Sequence, residues 1–240
     1  MKLTLLTLIY LFSQQPNIQD EAALYYKENN FKSALELYSS MISKDPLNPY
    51  LYYNAANCHY KLGNRTMALA YYIKSFILNP RNKDNLSNLK KISTETSNTL
   101  FSDEIPQTLY TFYFLLSDYE LRSAIHIMFI ILSIILILWL FSSKLLKKLL
   151  IITLILLIFF STWYMMRKNS IFYSPAITLK ETDILSGPGN KFMVLATIPQ
   201  SKVLFLIKEN DDFAEVGIPE QNIKGWIKKE DIIKIKGEKI

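Results

Sequence analysis

From Gln19 to about Glu95, apolar positions recur every three or four residues, the period of helices that bury one face. Ala22, Tyr25 and Tyr26 share one face, and Asn29-Asn30 interrupts the pattern. Phe31, Ala34, Leu35, Tyr38 and Met41 then mark a second helix, which Asp45-Pro46 ends. The plan repeats, with Gly63-Asn64 in the turn and Asn79-Pro80 at the stop. Gly and Asn accept positive φ at little cost, and Pro cannot continue a helix. A further helix, Asn85 to about Ile92, reads as a solvated cap. Two runs, Ser123 to Ser143 and Leu149 to Met166, are apolar on every side and hold no Asp, Glu, Lys or Arg. Each predicts a helix about long enough to cross a hydrocarbon core of ~30 Å. Beyond Ile171 the period shortens. Apolar runs at Ala176 to Leu179, Phe192 to Ile198, Lys202 to Ile207, Phe213 to Val216 and Gly225 to Lys228, separated by Gly, Pro, Asp and Asn, predict short strands.

The helical segment repeats itself at an interval of 34 residues: Ala34, Tyr38 and Pro46 recur as Ala68, Tyr72 and Pro80, and Tyr26 recurs as Tyr60. That period is the one found in tetratricopeptide repeats. The second unit resembles them closely through Tyr52, Ala55, Ala56, Asn57, Tyr60, Gly63, Ala68, Tyr72 and Pro80. His59 stands where the motif carries a tyrosine, and Arg65-Thr66 where an aromatic is typical. Units of this kind stack on their neighbours and leave a concave surface suited to another polypeptide. The candidate groove residues are those of the first helices that face away from the second: Tyr26, Lys27, Tyr53, Asn57, Tyr60 and Lys61. Asn57 suits hydrogen bonding to an extended backbone, and tyrosines give amphipathic contact area at low entropy cost.

The chain divides into five parts. Residues 1–15 read as a secretory signal, or alternatively as an extra apolar helix on the first repeat. Residues 16–95 hold the repeats and cap. Residues 96–121 form a polar connector followed by the aromatic stretch Ile105 to Leu121, which suits either a helix at a membrane interface or one packed on the repeats. Residues 122–168 hold the two apolar helices, whose tight SSKLLKK turn makes them antiparallel. Lys144, Lys147 and Lys148 and the amino-terminal signal put that turn in the cytoplasm and both soluble parts on the other side of the membrane. Residues 169–240 predict a small all-β barrel.

In that last part, DILSGPGNKFMVLATIPQSKVLFLI, FAEV and KGWIKKEDI resemble a bacterial SH3-like domain. The likeness lies in Ser186, Gly187, Pro188 and Gly189, in Phe213 and Val216, and in Gly225, Trp226 and Ile227. Leu185 replaces a common arginine and Phe213 a usual tryptophan. Phe213 and Trp226 are the candidate ligand contacts, with peptidoglycan stem peptides as the ligand the resemblance implies.

Composition narrows the function. Of 240 residues 50% are hydrophobic, and the net charge is +6. Arg122, Lys144, Lys147, Lys148, Arg167 and Lys168 account for all of it, so the positive charge flanks membrane segments and no nucleic-acid partner is expected. The single Cys58 excludes an intrachain disulfide, and His59 and His126 have no metal-ligand spacing. No phosphate-binding loop, zinc helix motif or nucleophile elbow is present. SGPG is a turn between strands, and Asp211-Asp212 belongs to a solvated hairpin loop. The expectation is a binding protein without catalytic residues, metal or cofactor.

In its order of parts the chain resembles BatE-type proteins encoded in Bacteroides aerotolerance (Bat) operons. That resemblance implies a multi-pass inner-membrane scaffold of the cell envelope. Its partners would be von Willebrand A-domain membrane proteins, a MoxR-type ATPase system and membrane lipid, with a role in stress or oxygen tolerance. The alternative reading is a cell-wall sensor acting through the SH3-like domain.

Overall fold

The computed structural model describes residues 18–101, 107–139, 144–168, 170–218 and 221–235. The expected amino-terminal signal lies outside them. Among the described residues five helices come first: α1 (Ile18–Lys27), α2 (Phe31–Lys44), α3 (Pro49–Lys61), α4 (Arg65–Leu78) and α5 (Lys83–Glu95). Each packs on the next. Within the units the reversals fall where the sequence places them, at Asn29 (φ +61°) and Gly63 (φ +82°). A Cβ at Gly63 would meet nothing within 4 Å, so glycine serves the left-handed backbone there and not a close contact. Asparagines start the helices. Asn30 Oδ1 accepts from the Ser33 N–H at 3.3 Å, and Asn48 Oδ1 from the Tyr50 N–H at 3.1 Å. Asn82 Oδ1 accepts from both the Asp84 and Asn85 N–H groups at 3.1 Å. Such caps contribute about 1 kcal/mol each.

Helix α4 differs from its counterpart α2. Its buried residues run almost without break from Ala68 to Phe76 and Ile77, including Leu69, Ala70, Tyr71, Tyr72 and Ile73. A helix apolar on all sides is covered on all sides. Here α3 and α5 cover part of α4, and the carboxy-terminal sheet covers another: Phe172, Ile177, Val203 and Ile235 belong to the same continuous core as the repeats. Polar contacts fix this docking. Asn98 Oδ1 accepts from the Val203 N–H, and Asn98 Nδ2 donates to the Ser201 carbonyl, both at 2.8 Å. Thr66 and Ser201 share a hydrogen bond at 2.6 Å, and Lys74 donates to the Ile235 carbonyl at 2.8 Å. The segment read as a solvated cap therefore runs longer, to Glu95, and leads into an interface.

The aromatic stretch forms α6 (Gln107–Tyr113) and packs on the repeats, the second of the two arrangements its composition suggested. Tyr110 and Phe114 join Phe76, Phe101 and Phe172 in a ring cluster with centroid separations of 4.8–5.8 Å. Leu109 and Phe112 stay exposed. Two long helices follow, α7 (Asp118–Trp139) and α8 (Lys144–Lys168), packed on each other. Both are long and apolar enough to cross a membrane over Asp118–Leu138 and Leu145–Lys168, and 11% of each span is buried within the protein. Helix α7 starts four residues before the expected Arg122. Ser117 and Glu120 form a capping box: Glu120 N–H donates to Ser117 Oγ at 3.2 Å, and Ser117 N–H to Glu120 Oε2 at 2.7 Å. Arg81, just after α4, pairs with both Glu120 oxygens at 2.7 and 3.0 Å. Arg167 near the end of α8 pairs with Asp118 at 2.9 Å, the two side chains being 3% and 4% exposed. Arg167 also donates to the carbonyls of Tyr113 and Leu116, each at 3.0 Å.

The last part is a seven-stranded antiparallel sheet in the order β3-β2-β6-β5-β4-β1-β7. The strands are β1 (Pro175–Thr178), β2 (Thr182–Leu185), β3 (Val194–Ile198), β4 (Val203–Glu209), β5 (Phe213–Ile218), β6 (Ile223–Lys228) and β7 (Ile232–Lys234). The expected closed barrel is corrected. Among the described residues the ladder ends at β3 and β7 without pairing them. The sheet does coil, because Ile198 of β3 and Ile232 of β7 share one core with Ile184, Leu204, Val216 and Ile227. Register shifts at Ile184/Leu185 and Leu206/Lys208 supply the bends. Among the described residues β7 is three residues long, and the Ile235 carbonyl just beyond it accepts from Lys74 of the repeats. Strand β2 meets β6 at one position, Leu185 against Trp226. Gly225 lets the strands approach: a Cβ there would lie 2.5 Å from Ile184 Cγ2 and 2.6 Å from the Leu185 carbonyl oxygen.

Candidate functional site

Tyr26 of α1, Asn57, Tyr60 and Lys61 of α3, Tyr72 of α4, and Asn88 and Lys91 of α5 line one cleft of about 180 Å³. Helical spacing puts Asn57, Tyr60 and Lys61 on one face of α3, and Asn88 and Lys91 on one face of α5. At the floor, Tyr72 donates from its hydroxyl to Asn57 Oδ1 at 2.6 Å, and Asn88 Nδ2 donates to the same oxygen at 3.1 Å. Burial raises the Tyr72 phenol well above its ordinary value, so it remains a protonated donor. With Oδ1 engaged twice, the Asn57 amide has one orientation, and its Nδ2 has no partner among the described residues.

The wall is held as firmly. Tyr60 donates to Glu95 Oε1 at 2.7 Å, and Arg65 Nε pairs with Glu95 Oε2 at 3.0 Å. Arg65 also donates to the Tyr60 carbonyl at 2.9 Å and lies 4.1 Å from the Tyr60 ring centroid. An exposed ion pair alone contributes little. Joined to a cation–π contact and two hydrogen bonds, it fixes the ring. Arg65, a departure from the repeat motif, thus replaces an aromatic by stacking on one. The Lys91 ammonium lies 5.1 Å from the centroid of the same ring. The cleft lining carries two lysines and no carboxylate.

Of the six residues proposed from sequence, Tyr26, Asn57, Tyr60 and Lys61 come together. Tyr53 sits beside the cleft with its ring 6.1 Å from that of Tyr72. Lys27 is exposed and does not line it. Sequence reasoning did not assign Asn88, Lys91, Glu95 and Arg65 to the site. The signal was available in the spacing of Asn88, Lys91 and Glu95 on one face of α5.

Phe213 and Trp226 lie on the outer face of the β5–β6 pair, opposite the core residues Ala214 and Ile227. They do not share a cleft. Phe213 is 9% exposed and borders a polar hollow with Asn190, Asp211, Asp212, Lys228, Lys229 and Glu230. Trp226 is half-buried, with the Lys208 ammonium 5.2 Å from its ring. Between them Glu215 pairs with Lys208 and Lys224, each at 3.3 Å. Burial opposes ionisation of Glu215, but the two lysines outweigh it and hold the carboxyl below its usual range. Cys58 is fully buried and burial pushes its thiol up to about 12, so it stays protonated.

No protein-family model matches the chain. A stretch of 60 residues is 38% identical to the Tetratricopeptide repeat protein 30 homolog of Aedes aegypti. The stretch is 25% of this chain and 9% of that protein, so the chain spans about a tenth of its relative. The similarity fits a tetratricopeptide-repeat protein, to which the structure adds an apolar helical hairpin and a sheet domain.

Proposed function

We propose that this chain is a membrane-anchored adaptor of the cell envelope that holds other proteins and transforms no substrate. The observation that carries the reading is the Asn57 amide, fixed by Tyr72 and Asn88 in a cleft bordered by Lys61 and Lys91. A pre-oriented amide donor suits a backbone carbonyl, and the two ammonium groups favour a segment that brings a carboxylate. The occupant is an extended peptide with an acidic residue, supplied by a membrane protein of the same assembly.

The order of parts supports a BatE-type scaffold with an SH3-like carboxy-terminal domain, both soluble parts outside the cytoplasm. Its partners are then von Willebrand A-domain membrane proteins served by a MoxR-type ATPase, in a complex linked to stress or oxygen tolerance. The wall-sensor reading has less support, because Phe213 is nearly buried and Trp226, on the same sheet face, does not line the hollow that Phe213 borders. A photo-reactive residue in place of Lys61, introduced in the full chain in cells, is expected to cross-link the von Willebrand A-domain protein. Asn57→Ala with Lys61→Ala should lower its co-purification severalfold. Equal recovery with both residues changed refutes the cleft as the binding surface.

A further inference from the structure

A large apolar hollow lies away from the repeat cleft, between α6 and the last three turns of α8. It measures about 610 Å³, and its lining includes Leu109, Phe112, Phe159, Thr162, Trp163 and Met166. Leu109, Phe112, Phe159 and Met166 are 46–60% exposed, an unusual quantity of large apolar surface around one hollow. Phe112 stacks on Trp163 at 5.2 Å and 5° to form its floor. Three polar side chains of the wall are already engaged within the protein. Trp163 Nε1 donates to the Tyr113 carbonyl at 3.2 Å, the Tyr113 hydroxyl to the Met166 carbonyl at 3.0 Å, and Ser170 Oγ accepts from the Phe172 N–H at 3.3 Å. A ligand there is recognised by apolar area and shape, with few hydrogen bonds.

Its position says which ligand that is. At ~1.5 Å per helical residue, Met166, Trp163, Thr162 and Phe159 lie roughly 3, 8, 9 and 14 Å below Lys168 along α8. They belong to the segment apolar enough to cross a membrane, so the hollow is continuous with the surface that faces hydrocarbon. The Arg167–Asp118 pair sets the ends of α7 and α8 at one level. At that level both carboxylates are neutralised, Asp118 by Arg167 and Glu120 by Arg81. Arg122 and Lys168 have no ion-pair partner among the described residues, which leaves net positive charge where a lipid phosphate sits.

The geometry points to a phospholipid site, in which one acyl chain of an anionic lipid fills the hollow between α6 and α8 with its phosphate at the level of Arg122 and Lys168. The site rests on the membrane-spanning reading of the hairpin and is independent of the peptide cleft. Its volume falls in the range of sites that enclose a single ligand of this size. The aromatic helix α6 is then a wall for bound lipid as well as a contact with the repeats.

The test uses the full chain, purified in detergent from membranes enriched in phosphatidylglycerol and weighed intact by native mass spectrometry. One retained phosphatidylglycerol per chain is expected. Thr162→Trp, which fills the hollow from α8, and Leu109→Trp, which fills it from α6, should each lower retention at least tenfold. Ile130→Trp, on an exposed position of α7 outside the hollow, should not. Arg122→Gln with Lys168→Gln should remove the preference for phosphatidylglycerol over phosphatidylcholine. Absence of retained lipid, retention unchanged by both filling variants, or a lipid-free dimer overturns the site. Resistance of the same chain to carbonate extraction reports separately on the hairpin, so failure of the site is distinguishable from failure of the membrane reading.

Discussion

Asn98 offers the sharpest test of how the repeats and the sheet are joined. It lies three residues past α5, next to Ser97, whose backbone is left-handed (φ +52°), and it is 7% exposed. Its side-chain amide meets a backbone N–H and a backbone carbonyl two residues apart, at Val203 and Ser201, much as another strand would. Asn98→Ala leaves both groups without their partner inside a buried contact, Val203 itself being 2% exposed. Each stranded backbone group costs about 1–3 kcal/mol. The substitution should therefore weaken docking by roughly 2–6 kcal/mol, a fall of about 4–24 °C in melting temperature for a chain of this length if the body unfolds as one. Thr66→Ala is the internal comparison. It removes one hydroxyl bond to Ser201 and leaves a hydroxyl that can turn to another acceptor, so about 1 kcal/mol is expected. The assay is thermal unfolding of the full chain in detergent, with hydrogen exchange read at the Val203 amide. Wild type should unfold in one transition with that amide protected. Asn98→Ala should separate sheet from repeats into two transitions and expose it. An Asn98→Ala protein no less stable than Thr66→Ala, with Val203 still protected, would refute the claim that the modules form one body.

Three further outcomes follow from single contacts. Gly225→Ala should destabilise the sheet by about 1–3 kcal/mol or more, measured by urea unfolding, because its Cβ overlaps Ile184 and the Leu185 carbonyl. Asp231 is buried, which opposes its ionisation, but the Lys180 ammonium at 2.7 Å and the Thr182 hydroxyl at 2.8 Å outweigh that and lower its value below the usual 3.8. Its contribution is thus complete above the unfolded value and is lost as pH falls through the lower folded value. A urea midpoint followed from pH 6 downward should drop more steeply in wild type than in Asp231→Asn, and parallel curves would contradict the assignment. Arg167→Met strands the Asp118 carboxylate at the head of α7 and should cost about 3–5 kcal/mol by thermal unfolding in detergent, much of it recovered by adding Asp118→Asn.

The parts of the fold that were legible are those where one segment decides its own structure. The repeat helices, their Asn and Gly turns and the two apolar helices follow from local period and length, and four of the six proposed cleft residues came with them. What was not legible depends on residues far apart. The start of α7 was expected at Arg122 because Asp118 and Glu120 are charged; tertiary contacts from Arg167 and Arg81 neutralise them and let the helix begin earlier. Strands β2 and β7 are four and three residues long, too short to establish an alternation, and are held by Trp226 of β6 and by β1. Asn98 carries no pattern at all, since its role exists only once the sheet is in place. One distant relation was written in the sequence. RTMALAYYIKSFIL is apolar on too many sides for the second helix of a repeat that packs on neighbours alone, and Phe76 has no partner within its own unit among the ring contacts, which are all to Phe101, Phe114 and Phe172. Such a helix in a short array implies that another part of the same chain, or another protein, lies against its outer face, and in this chain the sheet and the aromatic linker do.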